Sequence, residues 1–208
     1  MRSDEASPPL QQAMTNNGLL GALEACGALR RGHFLLSSGL HSPAYVQCAV
    51  LLESPARAAE AGEQIADRLR TLVPDSVLAP ALGGVIIGYE VARALGVPFR
   101  FAERAGERLA LRRGFELSPG ERVVIIEDVV TTGKSTIETA ALAESAGAVV
   151  VGIGSIIDRS AGKHGFAVPF AALLSLDLPT YDPGACPLCH DGSEAIKPGS
   201  RPQASPTK

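Results

Sequence analysis

Apolar positions along the chain switch between a helical and an extended period, and the switches mark out a repeated unit. Leu19, Leu20, Leu23 and Cys26 recur at three- and four-residue spacing, which predicts a helix over 15–29. The stretch 34–46 holds two short extended pieces around a Ser/Gly/Pro turn, read as a small β-element. Ser54-Pro55 is a helix start, with Ser as N-cap, and Ala58, Ala61, Ile65 and Leu69 form one apolar face that ends before Pro74. A rhythm then repeats: strand 76–81, Gly83-Gly84, helix 85–95, strand 97–102; and strand 122–127, a Thr/Gly loop, helix 135–146, strand 148–157. Strand, short loop, helix, strand predicts βαβ units around a mainly parallel sheet flanked by helices. The unbroken runs Val123-Val124-Ile125-Ile126 and Val149-Val150-Val151 suit strands buried on both faces. Between the units, 103–120 is Arg-rich and reads as an exposed hairpin or loop. Residues 1–13 lack periodicity and read as a disordered lead-in, and 182–208 holds five of the 15 prolines and reads as an irregular tail.

Composition narrows the class. With 208 residues, 46% of them hydrophobic, the chain can bury one core, so 14–181 is taken as a single domain. Gly, Glu and Arg interrupt every apolar stretch before it could cross a bilayer, and 1–13 lacks the basic-then-apolar pattern of a secretory signal. A cytoplasmic location without membrane contact is expected. The formal charge of −3, from 19 basic and 22 acidic residues well mixed, gives no general attraction for nucleic acid. Any anion must be bound locally. Four cysteines are too few for a disulfide scaffold, and Cys26 and Cys48 read as buried small hydrophobes.

The chemistry concentrates in 123–136. An apolar strand ends in two acids, Glu127 and Asp128, and the loop that follows consists of hydroxyls and Gly133 before a helix begins. In open α/β sheets ligands bind beyond the carboxyl ends of the strands. Backbone N–H groups over 131–135, a helix N-terminus and hydroxyls can surround a phosphate there. The acids would repel a bare phosphate but suit sugar hydroxyls or a cation-bound sugar. Simple helix capping accounts for the same residues equally well. The triphosphate-binding loop G-x-x-x-x-G-K-[ST] is excluded, because its first glycine would fall on Asp128.

The segment 123–135 resembles the phosphoribosyl-pyrophosphate (PRPP) signature of the type I phosphoribosyltransferases: apolar strand, acid pair, two apolar residues, then Thr-Thr-Gly-x-Ser. Further segments resemble the orotate-using branch of that family: FLLSSGLHSPAY at 34–45, PALGG at 80–84, FAERAGERLALRRGF at 101–115, Asp158-Arg159-Ser160, and CPLC with KPGSR in the tail. Together they span roughly 14–201. The resemblance implies a type I phosphoribosyltransferase-like fold with a small N-terminal hood over about 14–50 and a core over about 54–181. It implies transfer of the phosphoribosyl group from PRPP to orotate, with Mg²⁺ as cofactor held mainly by PRPP, in a homodimer whose loops reach the neighbouring subunit's site.

Carried over by position, the resemblance gives Glu127 and Asp128 to the ribose hydroxyls and Val129, Val130, Thr131, Thr132, Gly133, Lys134 and Ser135 to the 5′-phosphate. Thr131 and Arg159 fall on orotate-contacting positions. A guanidinium fork also suits a carboxylated base on its own chemistry. The competing reading of Arg159 is a surface residue paired with Asp158. The loop arginines Arg104, Arg108, Arg112 and Arg113 fall on the mobile loop that closes over pyrophosphate, with Arg104 grouped with the acid pair as catalytic. The loop has no lysine or histidine, so its role would be electrostatic. Gly83 and Ser37 stand where other members place lysines. A PRPP-dependent transferase for another base and a non-catalytic PRPP-sensing regulator are the competing functional readings.

The tail reads Cys186-Pro187-Leu188-Cys189-His190. This is half a zinc knuckle, which would need a second ligand pair, and the four histidines (His33, His41, His164, His190) show no ligand spacing among themselves. A structural element is preferred to a metal site, with a subunit-bridging zinc as the alternative.

Overall fold

The structure, a computed structural model, describes residues 16–198, so the lead-in over 1–13 and the end of the tail over 199–208 lie outside it. Helix α1 (Asn16–Ala25) leads into a two-stranded antiparallel hood, β1 (Leu29–Leu35) and β2 (His41–Val46). A short α2 (Cys48–Leu52) and a long α3 (Pro55–Leu69) follow. The first helix is shorter than its apolar spacing predicts. Gly27 turns the chain at φ +75, and Leu29 is already paired with Val46. Helix α3 starts with Pro55 in its first turn, where a missing N–H costs nothing, and Ser54 makes no side-chain cap bond.

The core is a six-stranded sheet in the order β5-β4-β3-β6-β7-β8, parallel except for edge strand β5. Its strands are β3 (Ser76–Pro80), β4 (Phe99–Ala105), β5 (Arg108–Leu111), β6 (Arg122–Val130), β7 (Val149–Asp158) and β8 (Phe170–Ser175). Helix α4 (Gly83–Leu95) connects β3 to β4, and α5 (Lys134–Ser145) connects β6 to β7. The period-two geometry of β6 divides its apolar run between two cores. Val124 and Ile126 pack with α3, α4, α1 and the hood, whereas Val123 and Ile125 pack on the α5 side with Ala143, Val150 and Ile153. All four are fully buried, each contributing about 1.5–3 kcal/mol of apolar transfer energy.

Two expectations are corrected. Strand β6 does not stop at Glu127 but runs on to Val130, because Val129 and Val130 pair with Ile157 and Asp158 of β7. The Arg-rich stretch forms a hairpin as expected, β4–β5 at the sheet edge, turning at Gly106. The tail is not irregular over its described part. It holds a 3₁₀ turn at Pro183–Ala185, helix α6 (Pro187–His190), and two bridges to the hood, Tyr181 with His41 and Ile196 with Phe34.

Candidate active site

The carboxyl ends of β6 and β7 lie side by side and place the acid pair, the Thr/Gly loop and Arg159 at one rim of the sheet. Glu127 is buried, and its two oxygens accept from the Asp128 backbone N–H (3.2 Å) and the Ser135 hydroxyl (3.2 Å). Asp128 Oδ1 accepts from the Val129 N–H at 2.8 Å. Burial, reinforced by the neighbouring Asp128 charge, pushes the Glu127 carboxyl up to about 8, and burial raises Asp128 as well. Two carboxyls crowded out of water favour a shared proton unless a partner rich in donors or positive charge arrives. Sugar hydroxyls are such a partner. A second constraint comes from Gly83, where a Cβ would sit 2.5 Å from Asp128 Oδ1. The glycine standing where the family resemblance implies a lysine is thus the space that the Asp128 carboxylate occupies.

Beyond Val130 the loop 131–135 opens to solvent. Thr131, Thr132 and Lys134 are exposed, Ser135 is half-buried, and Gly133 holds φ +74 at the start of α5, a conformation that L side chains rarely adopt. Since Val129 and Val130 belong to the ladder and the Val129 N–H is taken by Asp128, the segment with loop geometry is 131–135. It leads directly into the N-terminus of the 12-residue α5, whose dipole suits an anion.

Thr131 and Thr132 line a cleft of about 430 Å³ together with Arg159, with Tyr45, Leu36, Ser37, Ser38 and Leu40 of the hood, and with Leu178 and Thr180 ahead of the tail. Arg159 is not paired with Asp158, whose Oδ1 accepts from the N–H and hydroxyl of Ser160 at 2.7 and 2.6 Å. Its Nε is buried without a hydrogen-bond partner among the described residues, and burial lowers the pKa of the guanidinium. A buried, unpaired guanidinium N–H in a cleft is costly unless a ligand supplies an acceptor.

The four loop arginines do not line this cleft. Arg104 reaches Glu138 of α5 at 2.7 Å and the Glu107 carbonyl at 2.9 Å, and Glu138 also accepts from the Leu109 N–H, so α5 clamps the hairpin. Arg113 forks onto Glu103 with two contacts of 2.8 Å, which holds Glu103 below its ordinary value. Arg108 and Arg112 are exposed and make no ion pair among the described residues. Tyr45 and the hood residues Leu36 and Leu40 were not singled out from sequence as individual contacts. Only the turn residues around them signalled the element.

Fold and site together define a phosphoribosyltransferase: the phosphoribosyl transferase domain profile matches residues 47–164. An orotate phosphoribosyltransferase of Thermotoga maritima is 55% identical over 179 residues, covering 86% of this chain and 96% of that protein. One from Caldanaerobacter subterraneus subsp. tengcongensis is 46% identical over 188 residues, covering 90% and 99%. The crystal structure of orotate phosphoribosyltransferase from Aeropyrum pernix superposes with a TM-score of 0.65 at 25% identity, covering 76% of this chain and 93% of that one. The chain belongs to the orotate phosphoribosyltransferase family.

Proposed function

We propose that the protein joins PRPP to orotate, releasing pyrophosphate and orotidine 5′-monophosphate, and that the acid pair, the 131–135 loop and Arg159 carry the reaction. The observation that supports this most directly is that Arg159, whose buried Nε has no hydrogen-bond partner among the described residues, lines the same cleft as Thr131 and Thr132 of the phosphate loop. The orotate carboxylate supplies the acceptor that Arg159 lacks, as two parallel charge-assisted hydrogen bonds. The backbone of 131–135 holds the 5′-phosphate and fixes the ribose so that its hydroxyls meet Glu127 and Asp128. A ring nitrogen of orotate then approaches C1 of the ribose as the bond from C1 to the pyrophosphate oxygen breaks. Positive charge that develops on the ribose ring is stabilised by the two carboxylates. No covalent nucleophile takes part. The hood turn over 36–40 covers the base and excludes water that would hydrolyse the activated sugar.

Mg²⁺ fits this site on the chemistry of its donors: Glu127 and Asp128, two carboxyls whose burial disfavours their charge, would be stabilised by a nearby divalent cation. When bound, it offsets charge on the leaving group. Further cations come from the β4–β5 hairpin. Because Arg108 and Arg112 are exposed, make no ion pair among the described residues and lie outside their own chain's cleft, we assign them to the site of a second subunit in a homodimer. Free thiols at all four cysteines support a cytoplasmic setting. Among the described residues no helix is long and apolar enough to cross a membrane.

Loss of orotate absorbance is measured with PRPP and Mg²⁺, beside reactions offering adenine, hypoxanthine or uracil. Consumption of orotate alone, dependent on both PRPP and metal, is expected. Turnover of a neutral base in its place would sink the assignment of Arg159.

A further inference from the structure

Outside the cleft, four potential metal ligands that are far apart in sequence converge on one point. His33 of β1, His41 at the start of β2, and Cys186 and Cys189 of the tail present ligand atoms that all lie within 4.8 Å of one another. Both histidines and Cys186 are buried, and Cys189 is half-buried. Four of the six pairwise separations are 2.8 Å between His33 Nε2 and His41 Nδ1, 3.6 Å from Cys186 Sγ to His33 Nε2, 3.8 Å from Cys189 Sγ to His33 Nε2, and 3.3 Å from Cys189 Sγ to His41 Nδ1. Zinc bonds of about 2.3 Å to sulfur and 2.0–2.1 Å to nitrogen place neighbouring ligands of a tetrahedron roughly 3.3–3.8 Å apart. Three of the four separations fall in that range, and the histidine pair has to open by only about half an ångström.

The surroundings fix which nitrogen of His33 is available. Its Nδ1 lies 3.1 Å from the Ser193 carbonyl, which can only accept, and 2.8 Å from the Ser193 hydroxyl, whose own proton goes to the Leu188 carbonyl at 2.8 Å. Nδ1 is therefore the protonated nitrogen, and the lone pair of Nε2 points into the cluster. A second-sphere acceptor on the far nitrogen is the usual way a metal-binding imidazole is oriented. The C-x-x-C spacing at the start of α6 puts both sulfurs on the same side, and this pairing matches the two-Cys, two-His structural class.

We infer that His33, His41, Cys186 and Cys189 form a structural zinc site within one chain, clamping the C-terminal tail onto the hood. The second ligand pair that the tail motif lacks comes from the hood hairpin, not from a neighbouring subunit. The histidines had shown no ligand spacing because seven residues of turn and strand separate them. Four protein ligands leave no open coordination position, so the metal is not a catalyst. Around it the backbone is already stitched: the Leu35 N–H donates to the Ile196 carbonyl (3.0 Å), the Ile196 N–H to the His33 carbonyl (2.8 Å), and His41 and Tyr181 exchange two hydrogen bonds of 2.9 and 2.8 Å. The turn between the two histidines carries Leu36, Ser37, Ser38 and Leu40, the hood wall of the cleft, so the metal would brace that wall.

The test is the metal content of the full-length protein, expressed without a histidine tag in zinc-supplemented medium and purified under reducing conditions. About one zinc per chain is expected, and after exchange, Co²⁺ should give the intense visible absorption of a tetrahedral thiolate site. Cys189→Ser should lower zinc by at least about tenfold, and Ser193→Ala should weaken zinc retention against a chelator by about tenfold. Folded wild-type protein lacking zinc and giving no such Co²⁺ spectrum would overturn the site, as would a Cys186–Cys189 disulfide under those conditions. Because the wild-type measurement needs no substitution and reads metal instead of turnover, its outcome is independent of the orotate assignment.

Discussion

The phosphate loop and the hood–tail cluster are both built from a few polar side chains, but they are assembled in opposite ways. The loop is contiguous: Glu127 through Ser135 fall within one strand end and one helix start, and Glu127 bonds to Ser135 eight residues away. The cluster is distributed: Cys186 meets His33 across 153 residues. A contiguous site needs only local backbone geometry, so its chemistry can be altered without disturbing the fold. A distributed site is itself a tertiary contact, so altering it changes what holds the domain closed.

The largest effect is expected from Asp128→Asn, which keeps shape but removes charge where the ribose hydroxyls are held. We expect kcat to fall by about 100-fold or more, with zinc content and melting temperature little changed. Wild-type turnover in this variant would remove the acid pair from the chemistry. Next comes Arg159→Ala, for which the KM for orotate should rise by about 10- to 100-fold while the KM for PRPP stays put. Equal changes in both would make Arg159 structural. Gly83→Ala should follow, since the new Cβ forces the Asp128 carboxylate to move. We expect a fall in kcat with unchanged base affinity, measured by steady-state kinetics.

A pH series sharpens the comparison further. The Glu127 pKa rises from 4.5 to about 8 on folding, so the folded state binds the extra proton in between. The stability this contributes is complete below about pH 4.5 and is lost as pH climbs through about 8. The melting temperature of the unliganded protein should therefore decline over that window, and Glu127→Gln should flatten the decline. A rising profile, or a slope unaffected by the substitution, would remove Glu127 as the titrating group. The smallest effect is expected from Glu138→Gln, which releases Arg104 and loosens the exposed hairpin. Proteolysis within 104–108 should quicken, while melting temperature barely changes.

What could be read from sequence follows the same division. The β6–loop–α5 unit was legible because an apolar run, an acid pair and a hydroxyl loop sit within 14 residues, each dictated by local physics. Arg159 was legible only as chemistry suited to a carboxylate; its unpaired state depends on Ser160 capturing Asp158. Strand β8 was missed because Phe170-Ala171-Ala172-Leu173-Leu174-Ser175 is a short apolar run whose period does not distinguish strand from helix. Helix α2 has five residues, too few to show a period. The extension of β6 to Val130 depends on β7 being equally long, which only the pairing reveals. The proline-rich tail looked irregular because its order comes from contacts with the hood, more than 130 residues earlier.

The bridges from Tyr181 and Ile196 back to the hood also set a timetable for synthesis. The phosphate loop and its sheet neighbours β3 and β7 are available once residue 158 has emerged from the ribosome. The hood cannot be clamped until residue 196 follows, closing a loop of about 160 residues at an entropic cost that rises only slowly with length. The sugar-phosphate loop and Arg159 can therefore be in place before the hood wall of the cleft is clamped. A nascent chain held at residue 180 should display a PRPP-binding surface whose cover over the base is not yet braced.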